Sequence, residues 1–410
     1  MVCVYEDEGI GRLSPLVDLR PAFDLRCGRR TLLEKLRLLY PQEEFHLWVR
    51  DGIAELVAEA HVDCRVNKPV RQGRLFISAR AILGERISPR GQEAVLLAGD
   101  DVVGFRLCAE CAVKMSSLGG LTATLAQEQV KAKVVKWPWN LADFNVIELE
   151  RECRRHGRAS AGRSRTSKAG TLPRGTVLVG PSARLTIAAG ARLWPGAVVS
   201  TETGPVMIGR GAAVRPGSLV EGPCYIGPGT IIDGARVGPG CSFGPECRIG
   251  GEVEASVFQG FSNKHHEGFL GHSFVGEWVN LGAMTVNSDL KNAYQSVRVS
   301  YGGRQVDTGL LKVGCYIGDH VKTAIGSLLN TGVRVGTFAN WFESGLSPKE
   351  IPAFAWGAGA RWELADALVC ARQVMLRRGI EMTSAYEKRL ASLWGSRGDS
   401  VSSCVAGRKA

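Results

Sequence analysis

Residues 205–250 read PVMIGRGAAVRPGSLVEGPCYIGPGTIIDGARVGPGCSFGPECRIG, and this stretch decides the fold of the larger part of the chain. It carries one aliphatic side chain every six residues among glycine, proline and small residues: Ile208, Val214, Val220, Ile226 and Ile232. After a one-residue slip the step continues at Val237, Phe243 and Ile249. A period of six fits neither a helix nor a simple alternating strand. It predicts one buried aliphatic per short strand, with three strands making a coil of about eighteen residues.

The same step returns further along the chain, at Val275 and Leu281 and then at Leu311, Ile317, Leu329 and Val335, with Thr323 at the intervening place. Residues 175–345 hold 31 of the 51 glycines, whereas residues 1–150 hold 11. Because glycine permits positive φ at tight corners, we predict a triangular parallel β-helix with aliphatic side chains stacked inside. The step breaks at 252–274 and 286–309, where we expect loops that leave the solenoid and can carry functional residues.

The first 150 residues follow a different pattern. Helical spacing at Thr31–Tyr40, stopped by Pro41, and at Ile53–Ala60 alternates with short apolar runs, which is typical of a small α/β domain. Ala360–Trp394 has a broken apolar stripe and predicts a helix that caps the open end of the solenoid. We therefore expect five segments: an α/β domain at 1–150, a basic linker at 151–174, the β-helix at 175–345, a C-terminal extension with a helix at 346–395 and a disordered tail at 396–410.

The formal net charge of +11 raises the question of a nucleic-acid partner. Residues 151–174 alone hold eight Lys or Arg and one acidic residue, a net charge of +7. This stretch is rich in Ser, Gly and Arg and has no aromatic residue, whereas nucleic-acid surfaces commonly use aromatic rings for stacking. We interpret it as a flexible basic linker and do not expect nucleic acid as a partner. Contact with RNA or a membrane surface is the alternative.

Cysteine usage and hydropathy indicate the compartment. The twelve cysteines are scattered, with one CxxC at Cys108 and Cys111 and no second pair to complete a zinc site. Such usage suits a reducing cytoplasm. No stretch approaches the roughly 18 unbroken apolar residues that span a bilayer, and the N-terminus MVCVYEDEG lacks the order of a secretory signal. We expect a cytoplasmic protein without a membrane span.

Three of the seven histidines lie close together, at His265, His266 and His272. A histidine titrates near neutrality and can take a proton from an attacking amine, while Asn263 and Lys264 can hold a sugar hydroxyl or a phosphate. A polar corner whose histidines bond to backbone carbonyls is the structural alternative. Zinc bound by the three imidazoles is a further alternative. It is disfavoured because adjacent residues rarely aim at one ion and no cysteine joins them.

Residues 262–292, SNKHHEGFLGHSFVGEWVNLGAMTVNSDLKN, carry a resemblance to a known family. They resemble the acetyltransferase half of the bifunctional N-acetylglucosamine-1-phosphate uridyltransferase/glucosamine-1-phosphate acetyltransferases, and more closely a subgroup described as sugar nucleotidyltransferases. The resemblance covers residues 175–357, and Leu13–Leu36 is similar to the opening of the subgroup. It implies a left-handed β-helix of hexapeptide repeats, a homotrimer with active sites between subunits, and acetyl-CoA as donor.

The resemblance also implies roles for single residues on the acceptor side. Counted without gaps from Val275, His266 falls on the catalytic histidine of the family and Asn280 on the asparagine that contacts the sugar. Phe269 replaces a tyrosine that faces the substrate. Glu254 stands where the family has a phosphate-binding lysine, a reversal of charge. These departures put the identity of the acceptor in question.

On the donor side the resemblance places Ala283 on an acetyl-CoA contact and Asn287 near a second one, with Thr285 between them. Met284 stands where the corresponding turn of the family has glycine. We therefore expect Ala283, Thr285 and Asn287 to bind acetyl-CoA.

The N-terminal region has fewer signals. Sugar nucleotidyltransferases open with a glycine-rich loop whose amides bind nucleotide phosphates, and this chain has Gly9–Arg12 in a similar place. Arg20, Arg26 and Lys35 are candidate phosphate ligands, with structural salt bridges as the alternative. Asp100, after Gly99, resembles the aspartate that holds Mg²⁺, with an acidic surface turn as the alternative. Because this region is much shorter than a full uridyltransferase, we expect a truncated nucleotidyltransferase-like fold.

The leading hypothesis is a transferase of nucleotide-sugar biosynthesis. It would be an acetyl-CoA-dependent N-acetyltransferase acting on an amino-sugar phosphate or nucleotide-linked amino sugar, with His266 as general base. The second hypothesis is a sugar-1-phosphate nucleotidyltransferase that the β-helix mainly trimerises, with Mg²⁺ as its metal. The third is a non-enzymatic scaffold that binds sugar nucleotides.

Overall fold

The computed structural model describes residues 1–68, 75–107, 122, 124–163 and 172–396, with side chains of the third helix described as far as residue 154. Two units separate by their internal contacts. The first comprises Met1–Leu25, Arg30–Trp137 and Thr383–Ser392, and the second comprises Arg26–Arg29, Pro138–Met382 and the segment from Leu393. The five described helices are α1 (Leu32–Leu39), α2 (Asp51–Ala60), α3 (Pro138–Arg163), α4 (Leu364–Leu376) and α5 (Ser384–Ser396). Among the described residues, none of the helices is long and apolar enough to cross a membrane.

A mixed seven-stranded sheet forms the first unit. From edge to edge its strands are Ala126–Gln129, Ala94–Ala98, Asp101–Arg106, Leu75–Ser78, Val2–Tyr5, Phe45–Trp48 and Arg65–Val66. Val2–Tyr5 is buried along its whole length and pairs in parallel with both neighbours, as expected for a strand covered on both faces. The residues that follow it, from Glu6 onward, therefore leave the sheet at the edge where the parallel strands end. Ala81–Leu83 and Ala132–Val134 form a separate antiparallel pair.

The helices of the first unit follow the local sequence signals. Thr31 caps α1 through a reciprocal pair of bonds with Glu34, and the helix ends before Pro41, as predicted. α2 confirms the second predicted helical segment. Residues of α5 contact α2 and its surroundings: Lys388 pairs with Glu55 at 3.0 Å and Arg389 Nε donates to Asp18 O at 2.9 Å.

The second unit is a parallel β-helix with three faces. The first face has nine strands: Leu185–Ile187, Val206–Ile208, Cys224–Ile226, Cys241–Phe243, Val257–Gly260, Phe274–Glu277, Tyr316–Ile317, Arg334–Val335 and Glu350–Ile351. The second has six: Val177–Val179, Val198–Ser200, Leu219–Glu221, Arg236–Val237, Glu252–Glu254 and Phe269–Gly271. The third has five: Arg192–Leu193, Ala213–Val214, Ile231–Ile232, Arg248–Ile249 and Asn263–Lys264.

The C-terminal coils complete these faces. Val286–Asn287 and Leu328–Leu329 pair with each other, and a four-stranded sheet contains Lys322–Thr323, Asn340–Trp341, Ala355–Trp356 and the antiparallel Ala360–Arg361. Isolated bridges through Asn280 join this sheet to the third face. The aliphatic residues of the six-residue step are buried in one continuous core, and each fully buried one contributes about 1.5–3 kcal/mol. Leu311 is the exception: it was predicted as a position of the step but is 54% exposed. The predicted α/β region followed by a parallel β-helix is confirmed.

Corners of the solenoid hold the backbone at positive φ, as the glycine pattern predicted, but glycine is not the residue at every corner. Where the first face turns into the third, Gly211 and Gly229 occupy the early coils and Glu246 occupies the next one. Later coils place aromatic or imidazole rings there instead, at Phe261, Trp278, His320, Phe338 and Phe354. These rings form a buried stack, with centroid distances of 4.5 Å from Phe261 to Trp278 and 4.8 Å from His320 to Phe338. We call this set the aromatic corner.

The structure corrects one of the two predicted breaks in the solenoid. Residues 252–274 do not leave it, because Val253, Phe258, Lys264 and Leu270 continue the interior positions of successive strands. Lys264 hides the repeat because a charged residue occupies an interior place. The second break is confirmed in part by an antiparallel hairpin, Arg298–Tyr301 with Arg304–Asp307.

The chain ends and the linker also differ from expectation. α3 runs to Arg163, so the first half of the predicted flexible linker is helical. The predicted C-terminal helix is two helices, α4 and α5, separated at 377–383. The capping role expected of it is wrong for α4, since Arg378, just after that helix, reaches Asn263 in the last strand of the third face, several coils before the end of the solenoid. The CxxC pair at Cys108 and Cys111 and nearly all of the predicted tail lie outside the described residues.

Candidate active site

An exposed turn carries the predicted base. His265 and His266 follow the strand Asn263–Lys264 and are both exposed, with their rings 5.2 Å apart. The turn stacks directly on the equivalent turn of the next coil, because Met284 N donates to Glu267 O at 2.8 Å. His266, the predicted base, and Ala283, a predicted acetyl-CoA contact, therefore lie on neighbouring turns of one corner of the solenoid.

A polar patch lies on the third face beside this corner. Asn263 Nδ2 donates to Asn280 Oδ1 at 3.3 Å across neighbouring coils, and Asn280 is exposed. Arg378 Nη2 donates to Asn263 Oδ1 at 2.9 Å. Sequence reasoning missed Arg378, because nothing in its local pattern indicates that the segment after α4 returns to the middle of the solenoid. The patch presents amide and guanidinium groups that suit the hydroxyls or oxyanions of a sugar.

Lys264 does not face a ligand as predicted. Its side chain is only 1% exposed, and its ammonium donates to Gly250 O at 3.2 Å and to His266 O. Burial lowers the pKa of Lys264 to about 8, against the opposing effect of the Glu267 carboxylate. The structure therefore contradicts direct substrate contact by Lys264, because both carbonyls that it bonds belong to the chain. Its position fixes the backbone of the turn that carries His266.

Thr285 and Asn287 are also corrections. Thr285 is fully buried and its hydroxyl shares a hydrogen bond of 2.8 Å with the hydroxyl of Thr323. Asn287 is buried and bonds the backbone of Gly271 twice, accepting from its N–H at 2.8 Å and donating to its carbonyl at 3.0 Å. These polar atoms serve coil-to-coil contacts, so the predicted binding of acetyl-CoA by Thr285 and Asn287 is contradicted by their placement.

The remaining predicted residues stay accessible. Phe269 and Ala283 are half-buried, and Phe269 lies in the strand Phe269–Gly271 of the second face. Met284 is 55% exposed and has a φ of 62°, a left-handed conformation that favours glycine. This turn therefore has the positive φ that favours glycine, although the residue here is methionine.

The two remaining histidines of the cluster have carboxylate partners. His265 Nε2 lies 3.0 Å from Asp233 Oδ2, and Arg215 Nη1 lies 2.7 Å from the same oxygen. The hydrogen bond from His265 is the main cause that lowers the pKa of Asp233. His272 lies at a different corner, between the second and first faces, with Nδ1 2.8 Å from Asp289 Oδ2. Different corners hold the three imidazoles, so a zinc site made from all three is not supported.

A cavity of about 460 Å³ opens in the first unit at the edge where its parallel strands end. Its charged lining residues are Glu6, Asp7, Glu8, Arg12, Arg80, Asp100, Asp101 and Lys136. Three of the carboxylates are already paired: Asp7 with Arg80 at 2.7 Å, Asp101 with Lys136 at 2.7 Å and Glu6 with Arg50 at 2.5 Å. Asp7 Oδ1 also accepts a hydrogen bond from Gly9 N at 2.9 Å. The Gly9 amide, expected to bind a nucleotide phosphate, is therefore already bonded to a carboxylate of the protein. Ligands bind in such crevices in α/β sheets.

The predicted phosphate ligands lie elsewhere. Arg20, Arg26 and Lys35 are buried and do not line this cavity. Arg26 N donates to Gln259 Oε1 at 3.0 Å, and its guanidinium donates to Arg29 O. Structural roles, the alternative left open by the sequence, therefore describe these three residues better. Arg12 and Asp100, which come from the two predicted nucleotide-binding elements, both line the cavity.

Asp100 is exposed, but the carboxylates of this cavity do not form a preformed Mg²⁺ site. Among the described residues, no three of its acidic side chains bring ligand atoms within 4.8 Å of one another. Mg²⁺ is commonly held by one or two carboxylates together with substrate phosphates, so Asp100 stays a candidate ligand for the Mg²⁺ expected from the sequence. Asp7 and Arg80, which sequence reasoning missed, had one usable signal: Asp7 closely follows an apolar strand whose neighbours are parallel.

Comparison with known proteins finds a family similar to the N-terminal part of the chain. Residues 2–159 match the family described as sugar nucleotidyl transferase. The resemblance to bifunctional GlmU-like transferases is confirmed. A bifunctional sugar-1-phosphate nucleotidylyltransferase/acetyltransferase of Sulfurisphaera tokodaii is 31% identical over 100 residues, which are 24% of this chain and 25% of that protein. The bifunctional protein GlmU of Rippkaea orientalis is 31% identical over 140 residues, 29% of this chain and 30% of that protein.

A third relative extends the match. The bifunctional protein GlmU of Synechococcus sp. strain RCC307 is 29% identical over 192 residues, 41% of this chain and 42% of that protein. The chain thus spans between a quarter and two fifths of the length of these GlmU-like relatives. The name of the first of them describes a transferase, the class that the sequence predicted.

Proposed function

We propose that the β-helix is an acetyl-CoA-dependent N-acetyltransferase for an amino sugar carried on a phosphate or a nucleotide. The observation that supports this most is the exposed His266 turn, stacked on the Ala283–Met284 turn and bordered by Asn263 and Asn280. Two similar proteins are named as acetyltransferase or as GlmU, and the proposal extends that likeness to this chain.

The chemistry needs a base, a bound acceptor and a bound donor. His266 takes a proton from the amine as its nitrogen attacks the thioester carbonyl; the C–N bond forms, the C–S bond breaks and the proton passes to the leaving thiolate. Asn263, Asn280 and Arg378 orient the sugar hydroxyls or oxyanion. The exposed apolar surface of Met284 and Ile325, beside Ala283, suits the donor's apolar stem. Lys264 holds the carbonyl of His266 and so orients the turn.

The test measures thiol release from acetyl-CoA by the full-length protein, with glucosamine-1-phosphate and a panel of nucleotide-linked amino sugars as acceptors. His266→Ala is expected to lower kcat by about 10²- to 10⁴-fold. His265→Ala is the matched control, since it removes the neighbouring exposed imidazole and is expected to change kcat only a fewfold. No release with any amino sugar would reject the proposal, and equal losses in both variants would reject the assignment of the base.

A second candidate function belongs to the first unit. Its match to the sugar nucleotidyl transferase family and its charged cavity favour nucleotidyl transfer from a nucleoside triphosphate to a sugar-1-phosphate. Pyrophosphate release that needs both substrates and is abolished in Arg12→Met is the expected result. Absence of release with every nucleoside triphosphate would leave this unit as a binding domain.

We also propose a homotrimer. Several large apolar side chains of the C-terminal coils are exposed in the single chain: Ile325, Leu328, Phe342, Leu346 and Trp356. Exposed apolar surface of this kind marks an interface. Light scattering is expected to give three times the chain mass, and a monomer at micromolar concentration would reject the trimer.

A further inference from the structure

His272 belongs to a group of side chains that the proposed function does not use. Its Nδ1 lies 2.8 Å from Asp289 Oδ2 and 3.8 Å from Glu254 Oε1. His272 lies at the corner between the second and first faces, where its backbone has a φ of 50°. Among the described residues, these three form the one group whose ligand atoms all lie within 4.8 Å of one another. We call them the corner triad.

The spacing of the corner triad fits a small divalent ion. Zinc binds imidazole nitrogen and carboxylate oxygen at about 2.1 Å, so the ligand atoms of a tetrahedral site lie about 3.4 Å apart. The two contacts of His272 Nδ1, 2.8 Å and 3.8 Å, lie on either side of that value. Shifts of about half an ångström would bring these two distances to that of a zinc site, and the remaining pair of ligand atoms, on Glu254 and Asp289, lies within 4.8 Å. One imidazole and two carboxylates are also a donor set that zinc and its neighbours accept.

An independent feature lies next to the triad. A cavity of about 270 Å³ is lined by His272, by Leu310, Leu311 and Lys312, by Tyr316, and by Trp139, Ala142 and Asp143 of α3. The hydroxyl of Tyr316 is fully buried and finds no hydrogen-bond partner among the residues that the structure describes. A buried hydroxyl without a partner is costly, and a ligand or a water held in the cavity would satisfy it. Burial is the main cause that raises the pKa of Tyr316, and Asp143, on the cavity wall, adds to it.

A second His–Asp pair in the same solenoid shows what distinguishes the triad. His265 and Asp233 lie nearly as close as His272 and Asp289, but the third charged group beside Asp233 is the guanidinium of Arg215. A fixed cation there neutralises the carboxylate and repels a metal ion. At the triad the third group is a second carboxylate, Glu254. Two carboxylates around one imidazole attract a divalent cation more strongly than one does.

The triad has an internal competitor. Lys312 Nζ lies 3.2 Å from Glu254 Oε1, and its side chain is about half exposed. Such an exposed ion pair is weak, because solvent screens it and the long side chain is free to turn away. A metal ion would therefore displace the ammonium at little cost, and Lys312 would then face the cavity.

We propose that Glu254, His272 and Asp289 bind a divalent transition-metal ion of the zinc class, with its remaining coordination position open toward the cavity that Tyr316 lines. Three protein ligands and one open position are the arrangement of a zinc site that binds an exogenous ligand rather than one that only holds the fold together. The ligand in that position would be a small molecule with a hydroxyl or carboxylate oxygen, since an ion of this class accepts oxygen ligands and Tyr316 offers a hydroxyl. This inference does not depend on the acetyltransferase proposal.

The test titrates the chelator-treated full-length protein with Co²⁺ alone, because cobalt takes the same ligands and its visible absorption reports the coordination geometry. One ion per chain is expected to give the absorption of a four- or five-coordinate site. Glu254→Gln, His272→Asn and Asp289→Asn are each expected to weaken that site by more than the roughly 10- to 100-fold that loss of an outer partner costs. Asn at position 272 tolerates the positive φ, so the corner is kept.

Two further variants sharpen the result. His265→Gln is the matched control and is expected to leave the cobalt spectrum and affinity unchanged. Lys312→Met is expected to raise the affinity by about tenfold, because it removes a competing cation. Binding of cobalt by cysteine would appear as a sulfur charge-transfer band and is scored separately. Equal cobalt affinity in the wild-type protein and in His272→Asn would overturn the site, provided that circular dichroism shows both proteins to be folded. Unchanged cobalt affinity in both single variants, Lys312→Met and Glu254→Gln, would overturn it as well.

Discussion

The two units hold the polar groups near their candidate sites in different ways. Inside the solenoid, polar side chains bond to the backbone of a neighbouring coil: Lys264 donates to Gly250 O, and Asn287 bonds both backbone groups of Gly271. At the end of the strands in the first unit, charged side chains pair with one another instead, as Asp7 does with Arg80. The solenoid therefore positions its candidate site through the spacing of its coils, whereas the first unit positions its cavity through charge balance.

This difference predicts how each region fails. A change in the spacing between coils will move the His266 turn even when every polar residue is present. A change in one charge of the first unit will leave its partner uncompensated while the backbone stays in place. Substitutions at Gly250 and at Asp7 separate these two kinds of failure.

The largest effect is expected from closing the gap between two coils. A Cβ added at Gly250 would lie 1.8 Å from the carbonyl oxygen of His265, and backbone cannot yield as a flexible side chain does. Gly250→Ala is therefore expected to lower the free energy of unfolding by more than about 3 kcal/mol, beyond the usual cost of overpacking, and to abolish thiol release. Urea unfolding followed by circular dichroism measures the first and the acetyl-CoA assay the second.

Gly359→Ala is the matched control, because a Cβ there meets nothing within 4 Å. It is expected to change the unfolding midpoint by less than the error of the measurement. A similar loss in both variants would show that coil spacing does not set the stability of the solenoid.

Lys264 predicts a dependence on pH that only a buried charge produces. Its pKa is about 8 in the folded protein and 10.5 as the reference value. Between these values the folded state binds fewer protons than the unfolded chain, so the free energy of unfolding rises with pH, by up to about 3 kcal/mol. Below pH 8 the contribution is constant. The neutral amine still has hydrogens for the carbonyls of Gly250 and His266.

The measurement is the urea midpoint between pH 8 and 10.5 for the wild-type protein and for Lys264→Met. Because buried cysteines and tyrosines titrate in the same direction in both proteins, the difference between them isolates Lys264. A difference that does not grow with pH would mean that the ammonium is solvated in the folded state.

Much of the fold could be predicted from the sequence, because a solenoid coil repeats within about eighteen residues and each aliphatic of the step is itself a sign of burial. The break expected at 252–274 failed where Lys264 stands in an interior place and resembles a surface residue. The sequence could also place the His266 turn and Asn280, because both lie within coils whose repeat is visible over about eighteen residues. It could not find Arg378, Asp289 or Arg80, since each meets its partner only through long-range packing. Thr285 and Asn287 were assigned to a ligand because a polar side chain gives no sign of facing inward.

A smaller effect is expected in the first unit. Asp7 pairs with Arg80 and also accepts from Ser78 Oγ at 2.5 Å. Asp7→Asn keeps the shape but leaves the guanidinium of Arg80 uncompensated, which is expected to cost about 2 kcal/mol. Asp100→Asn, at an exposed position in the same cavity, is expected to leave stability unchanged. Thermal unfolding of the two variants checks this, and equal midpoints would show that charge balance does not hold the cavity.

The smallest effect is expected at Met284, where φ is 62° and the side chain is mostly solvent-exposed. Met284→Gly relieves a left-handed conformation that costs an L-residue roughly 1–2 kcal/mol, and it loses little buried surface. The urea midpoint is therefore expected to rise, by about 1 kcal/mol in free energy after the greater freedom of glycine in the unfolded chain is subtracted. A lower midpoint would mean that Met284 makes contacts in an assembly that the single chain lacks.

The aromatic corner bears on how the chain avoids assembling in the wrong alignment. Coils whose interiors differ only by Ile for Val could pair with the wrong neighbour at small energetic cost. A solenoid of many similar rungs would then have several folded alignments of nearly equal energy. Rings occupy this corner only on the later rungs, at Phe261, Trp278, His320, Phe338 and Phe354. The early rungs have glycine there, followed by Glu246 on one rung. A shift by one rung would leave one end of the ring stack bare and place a ring at the rung where Glu246 stands. The stack therefore favours one alignment of the rungs in the part of the solenoid that starts at Phe261.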